Sequence, residues 1–222
     1  MSEPRAVPGL GLAEQLVLRG DGLTTTSLEI LSGARITTAV RAHWMLPLHA
    51  DSRALNRVGG EPTPGADDLA GADGYTGMAA TEPGRWAQLG IDDLDAQVGE
   101  SLLVRELDLL GAGRILACAT LVAVMGVLPP SLVHVLGTTD EPIGRLLAAH
   151  GIQVRRELVR WGLRPAGDLA ERLAVAPAAA VPARSYRMRA TSSGRPLALI
   201  TEWFTPTLFG PPATAGDRRR RR

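Results

Sequence analysis

The chain has 222 residues, 45% of them hydrophobic and 21% charged, with a formal net charge of +1. That is enough for one substantial core and one decorated domain of ordinary globular composition. Because five of the arginines form the terminal run Arg218–Arg222, the folded part is mildly acidic, and its charge points to no nucleic-acid partner.

In chain order, the residues up to about Gly11 are Pro/Gly-rich and expected to be flexible. Leu12–Arg19 suits a short helix. GDGLTTTSLEILSG reads as a turn, a Thr or Ser N-cap and a helix stopping at Gly33. Ala34–Leu48 is rich in β-branched residues and suits a strand. From His49 to Gly84 the composition turns to Gly, Ala, Asp and Pro. A stretch that long inside a compact domain reads as a mostly disordered insertion or, in part, a lid.

QVGESLLVRELDLL and RILACATLVAVM flank Gly111-Ala112-Gly113 and predict a β-hairpin. After Pro129-Pro130, SLVHVLG predicts a helical turn. DEPIGRLLAAHG predicts a helix with Asp140 as cap and Gly151 as stop. IQVRRELVRWGLR predicts a strand, and RSYRMRATSSGRPLALITEWF a second hairpin. Beyond Phe209 the GPPATAGDRRRRR tail is expected to be disordered. The order of elements predicts an α+β fold, an antiparallel six-stranded sheet with helices packed on it, in a single domain over residues 12–210.

No segment reaches the roughly 18 uninterrupted apolar residues of a membrane span. MSEPRAVPGLGLAEQ lacks a secretory signal pattern, so the expected location is cytoplasmic. Every one of the 24 basic residues is arginine, which rules out Schiff-base catalysis and a lysine phosphate loop within this sequence. The single cysteine, Cys118, excludes an internal disulfide and reads as a small buried hydrophobe. His43, His49, His134 and His150 show no metal-ligand spacing, so no metal is expected. Arg155-Arg156-Glu157, Arg187 and Arg189 alternate with apolar residues and read as solvated strand faces, one of which would reach a pocket mouth.

Two strands carry a charge where their pleat is apolar. In SLLVRELDLL, alternation sets Arg105 among Leu103, Leu107 and Leu109. In PLALITEWF it sets Glu202 between Ile200 and Phe204. An ion aimed into an apolar layer is costly without a partner. Either Arg105 and Glu202 pair with each other or reach solvent at an edge, or the sheet lines a pocket. In the second case Arg105 forks a ligand carboxylate, and Glu202 is an acid whose apolar setting favours the protonated form.

The ordered segments LVREL, TTDEPIGRLL and RSYRM…SGRPLALITEWFTPTLF, with GDGLTTTSLEILSG…ITTAVR ahead of them, resemble the chorismate pyruvate-lyase family. The resemblance implies a six-stranded antiparallel sheet with a small internal site, and conversion of chorismate to 4-hydroxybenzoate and pyruvate without metal or organic cofactor. It implies that Arg105 holds the ring carboxylate, the Ile143 backbone contacts the ligand, and Glu202 meets the oxygen opposite the carboxylate. Here Ile143 replaces the family's leucine, and Asp140-Glu141 precede Pro142, which fits if both acids cap the helix facing away. The alternatives are a non-catalytic aromatic-acid binding module, a lyase giving another hydroxybenzoate isomer, and a structural protein with a buried ion pair. The first 20 residues are too few for the winged helix-turn-helix of the regulators that share the fold, which argues against a regulator. Oligomeric state is not legible.

Overall fold

The computed structural model describes residues 10–20, 23–48 and 92–210. The insertion expected at 49–84, the arginine tail and most of the N-terminus expected to be flexible lie outside the described residues.

Among the described residues there are four α-helices and six strands: α1 (Leu12–Arg19), α2 (Thr24–Ser32), β1 (Ile36–Pro47), β2 (Ser101–Gly111), β3 (Arg114–Val124), α3 (Pro130–Thr138), α4 (Ile143–Ala149), β4 (Val154–Pro165), β5 (Ala180–Ala190) and β6 (Pro196–Phe204). The strands form one antiparallel sheet in the order β1-β2-β3-β6-β5-β4, the α+β architecture expected from the sequence.

Local chemistry explains the boundaries. Gly33 ends α2 in the left-handed region at φ 65°, where a side chain would be strained. Gly111 pairs with Arg114, so β2 and β3 join through Ala112 and Gly113 at φ 50° and 75°. Positive φ at both central residues matches the right-handed twist of the flanking strands. Pro130 opens α3, where its missing N–H costs nothing.

Two boundaries differ from expectation. Neither Thr nor Ser caps α2: its N-cap is Leu23, without a side-chain cap, because the Thr24 hydroxyl is engaged by the sheet, as described below. Nor does Asp140 cap α4, whose N-cap is Pro142.

Register sorts the pleat into rows across β2, β3, β6 and β5. One face carries Leu103–Ala123–Ala198–Met188, then Arg105–Leu121–Ile200–Tyr186, then Leu107–Ala119–Glu202–Arg184, then Leu109–Ala117–Phe204. All four helices cover this face. Val17, Leu18 and Leu28 of α1 and α2 pack on Leu109, Ala117 and Phe204. Leu132, Leu136, Leu146 and Leu147 of α3 and α4 pack on Leu103, Leu121 and Ile200. The opposite face is covered by Leu48, Leu94 and Ala96 at one end and Ala166, Ala170 and Leu173 at the other. The two helix pairs leave a gap over the rows that contain the charges.

Candidate functional site

That gap is a cavity of about 60 Å³, room for several water molecules. Its floor is Leu107, Leu109, Ala119, Leu121, Tyr186, Met188, Ile200 and Glu202. Leu23, Thr24 and Thr25 wall one side, and Pro142, Ile143, Gly144 and Arg145 the other, with Thr38 and Arg156 at the periphery. The floor is apolar apart from Glu202 and the Tyr186 phenol, the composition of a small-molecule site with few polar contacts.

Glu202 is 3% exposed but not surrounded by hydrocarbon. The Arg184 Nε donates to its Oε2 at 2.7 Å. The Thr24 hydroxyl donates to its Oε1 at 2.6 Å, and the Tyr186 hydroxyl to the same oxygen at 3.2 Å. The sequence expectation of an acid in an apolar setting is therefore corrected: both of its oxygens meet buried polar donors. A carboxylate has about four acceptor positions, and three are filled. Neither Arg105 nor solvent partners it: the buried ion pair is Arg184–Glu202.

Arg184 is itself 3% exposed. Its Nη2 donates to Thr24 Oγ1 at 2.7 Å and its Nη1 to the carbonyls of Val17 at 2.6 Å and Gly20 at 2.9 Å. Burial, the largest single influence, would pull its guanidinium down, but the charge of Glu202, the Tyr186 phenol and the hydrogen bond to Glu202 together outweigh it and hold the group above the ordinary arginine value. Tyr186 is pushed well above the usual phenol range, by burial first and by the negative charge of Glu202 second. It therefore stays a neutral donor.

Arg105 is 1% exposed. Its Nη2 donates to the Thr139 carbonyl at 2.6 Å, while its Nε and Nη1 have no hydrogen-bond partner among the described residues. Burial pulls the guanidinium below its ordinary value, and the negative charge of Asp140 partly restores it. Arg105 shares the cavity face of the sheet, one row along from Glu202, though it is not among the residues lining the cavity. It lies beneath the segment leading into α4, which Thr38 also pins by donating to the Asp140 carbonyl.

Ile143 lines the cavity at the first turn of α4. The two acids before it do not cap the helix. Asp140 acts electrostatically on Arg105, and Glu141 sits 3.6 Å from Arg145 across one helical turn. Gly144 matters sterically: a Cβ there would lie 2.9 Å from Leu23 Cδ2 and 3.5 Å from Arg156 Nη2. Arg156 is the strand-face arginine that reaches the pocket. Arg187 and Arg189 instead meet Glu157 at 3.0 and 2.8 Å.

The sequence reading missed Arg184 and the role of Thr24. Arg184 had a signal: alternation sets it with Tyr186 and Met188 on the covered face, as isolated there as Arg105 is on β2.

On the far face Asp108 is fully buried, bonded by Arg172 at 2.5 Å and Arg41 at 2.5 Å. Cys118 is buried beside it, its thiol pushed up to about 12, chiefly by burial. Among the described residues no group of three or more His, Cys, Asp or Glu side chains could hold a metal ion, and no helix is long and apolar enough to cross a membrane.

The antiparallel six-stranded sheet with helices on one face is an α+β fold shared with solved structures. The effector domain of PhnF from Mycobacterium smegmatis superposes with a TM-score of 0.52 at 13% identity, over 84% of this chain and 90% of that one. Gene product SA0254 from Staphylococcus aureus superposes with a TM-score of 0.50 at 9% identity, over 82% and 86%. Such identities establish the fold alone. Comparison with curated protein sequences gives no match. The family model described as chorismate pyruvate-lyase, Rv2949c-like, matches residues 79–210, more than half of the sequence. The chain belongs to that Rv2949c-like chorismate pyruvate-lyase family.

Proposed function

We propose that the protein is a chorismate pyruvate-lyase, releasing pyruvate and 4-hydroxybenzoate, with Arg105, Ile143 and Glu202 as substrate-contacting residues. Family membership supports the activity. The observation that carries the site is Arg105: a guanidinium 1% exposed with two donor nitrogens unpartnered, on the same sheet face as Glu202. Leaving such donors unmet costs several kcal/mol at most sites, so an anion completing them accounts for their retention. A ligand carboxylate at Arg105 and a hydroxyl donating to the remaining acceptor position of Glu202 span a ring lying on Leu107, Leu121 and Ile200.

The reaction balances without a co-reactant. The C–O bond between the ring and the enolpyruvyl ether breaks, the ether oxygen leaving with the bonding pair as pyruvate enolate. The ring carbon bearing the hydroxyl loses its proton, and that C–H pair completes the aromatic ring. The enolate methylene gains a proton to give pyruvate. Aromatisation supplies the driving force, so the protein must chiefly bind, orient and keep water out. Glu202, accepting from the ring hydroxyl, orients the carbon that loses its proton.

The test incubates the purified full chain with chorismate, assays pyruvate and identifies the aromatic product by chromatography. Equimolar pyruvate and 4-hydroxybenzoate support the reading. Another hydroxybenzoate isomer, or tight binding of chorismate without pyruvate release, overturns it in favour of a different lyase or a binding module.

A further inference from the structure

Glu202 and Thr24 line the cavity, and Arg184 does not. Yet Arg184 donates to both, at 2.7 Å each. With its two contacts to the α1 carbonyls it uses four of the five guanidinium hydrogens. These four acceptors come from three separate elements: the C-terminal end of α1, the first residue of α2 and the sixth strand. The ring of Tyr186 stacks against the guanidinium, 4.9 Å from Cζ to centroid, and Phe204 lies 5.9 Å away on the next row. Four hydrogen bonds and two ring contacts on a planar group leave it a single orientation.

We propose that Arg184 is the positioning residue of this site. It fixes the rotamers of Glu202 and Thr24, and reaches a bound ligand only through them. The hydroxyl of Thr24 accepts from Arg184 and gives its one hydrogen to Glu202 Oε1, so the guanidinium holds the oxygen that carries this second hydrogen bond. Fixing that donor and the Tyr186 donor on Oε1, with Arg184 itself on Oε2, leaves one acceptor direction of the carboxylate open. The ligand atom Glu202 accepts from is thereby selected as a donor, a hydroxyl rather than an ether or carboxylate. A lysine has one nitrogen and cannot span Glu202, Thr24 and the α1 carbonyls together. The inference rests on the reading of Glu202 as the ligand-facing carboxylate.

The test is a double-mutant cycle on the full chain, with Arg184→Lys and Glu202→Gln alone and combined, read as 4-hydroxybenzoate affinity by calorimetry and as pyruvate release from chorismate. Each single variant is expected to lose about tenfold or more in both. The double variant is expected to fall no more than about threefold below the worse single, because residues acting as a unit are not additive. Losses that multiply, or Arg184→Lys matching the wild type, would overturn the proposal. Thr24→Val serves as a second probe should Arg184→Lys unfold: it keeps the ion pair, and its loss must likewise not multiply with Glu202→Gln. If the wild type neither binds 4-hydroxybenzoate nor releases pyruvate, the functional reading fails on its own. The cycle is then read from amide exchange of peptides spanning residues 17–28, where both single variants speed exchange equally and the double adds nothing. Additive exchange overturns the positioning role.

Discussion

Arg105 and Glu202 project from the same face of the sheet, on β2 and β6, and make no hydrogen bond to each other. The register places Arg105 opposite Leu121 and Ile200, and Glu202 in the next row with Leu107 and Ala119. One ion has donors to spare and the other has nearly all its acceptors filled by Arg184, Thr24 and Tyr186. That asymmetry separates the two roles: Glu202 belongs to a completed network, while Arg105 is held in an incomplete one.

A buried, half-satisfied guanidinium should cost stability and repay it only in binding. Arg105→Met, which keeps most of the volume and removes the orphaned donors, is expected to melt at the same temperature as the wild type or higher. It forfeits one charge-assisted hydrogen bond to the Thr139 carbonyl, worth about 1.5–3 kcal/mol, against which stands the relief of two unmet buried donors. The same variant should weaken 4-hydroxybenzoate binding by about 100-fold or more, the loss of two charge-assisted hydrogen bonds. Calorimetry of melting and of binding on one preparation checks both, and a large drop in Tm would show that Arg105 is structural.

Glu202→Gln should behave in the opposite way. Removing one member of a buried ion pair leaves Arg184 uncompensated, a loss of about 3–5 kcal/mol, on the order of 10 °C in Tm for a chain of this size. Adding Arg184→Met to Glu202→Leu removes both charges and should recover part of that loss. Thermal denaturation of the three variants checks the order. An unchanged Tm in Glu202→Gln would mean that the pair contributes little.

Much of this was legible in the sequence, because period-2 alternation in LVRELDLL and LALITEWF is enough to put Arg105 and Glu202 on covered faces. The partner of Glu202 was not. The β5–β6 register shifts between Met188 and Arg189. Continuing the Arg189–Pro196 pairing without that shift would set Arg184 opposite Thr201, with its side chain on the far face from Glu202. The shift adjoins the Ser192-Ser193-Gly194 turn, with Gly194 at φ 69°, but the turn does not say which register the strands take beyond it, so alternation marks Arg184 as covered without naming its partner. Thr24 was hidden for another reason: a threonine at a helix start is most economically read as a cap, and only the assembled sheet offers it a carboxylate. The charge on Asp140 was likewise misplaced, because its neighbour Arg105 is distant in sequence.

Gly144 should tune the cavity rather than the fold. A Cβ there would lie 2.9 Å from the tip of the Leu23 side chain, which is partly exposed and can yield by a rotamer change. Gly144→Val is therefore expected to fold, with Leu23 and Arg156 displaced into the cavity. Its 4-hydroxybenzoate affinity should fall by about tenfold, as overpacking of this kind costs about 1–3 kcal/mol at a fitted wall. Retained affinity would mean that ligand does not approach the start of α4.

Cys118 gives a readout of sheet integrity. Its thiol is buried and pushed up to about 12, so at pH 8 it holds almost no thiolate, the form that reacts. A disulfide thiol reagent should leave the native protein unlabelled for hours and modify the one cysteine at once in urea. Rapid labelling of the native protein would place Cys118 outside the packed layer.

Asp108 supplies the expected acid sensitivity. Burial on its own pushes this carboxyl up, but the hydrogen bonds and charges of Arg172 and Arg41 outweigh burial and leave it below its ordinary value. A carboxyl lowered on folding binds protons less tightly in the native state than in the unfolded one. Its stabilising contribution is therefore complete above the unfolded value of about 3.9 and is lost as pH falls through the native value. Denaturant titrations should show this contribution constant from pH 7 to about pH 5 and declining below about pH 4. Asp108→Asn should already be destabilised at pH 7, because Arg172 and Arg41 lose their counter-charge on a fully buried group. Its further decline in acid should be shallower than that of the wild type. Parallel curves for the two proteins would assign the acid sensitivity to other carboxylates, with Glu157, lowered by its hydrogen bonds to Arg189 and Arg187, the next to test.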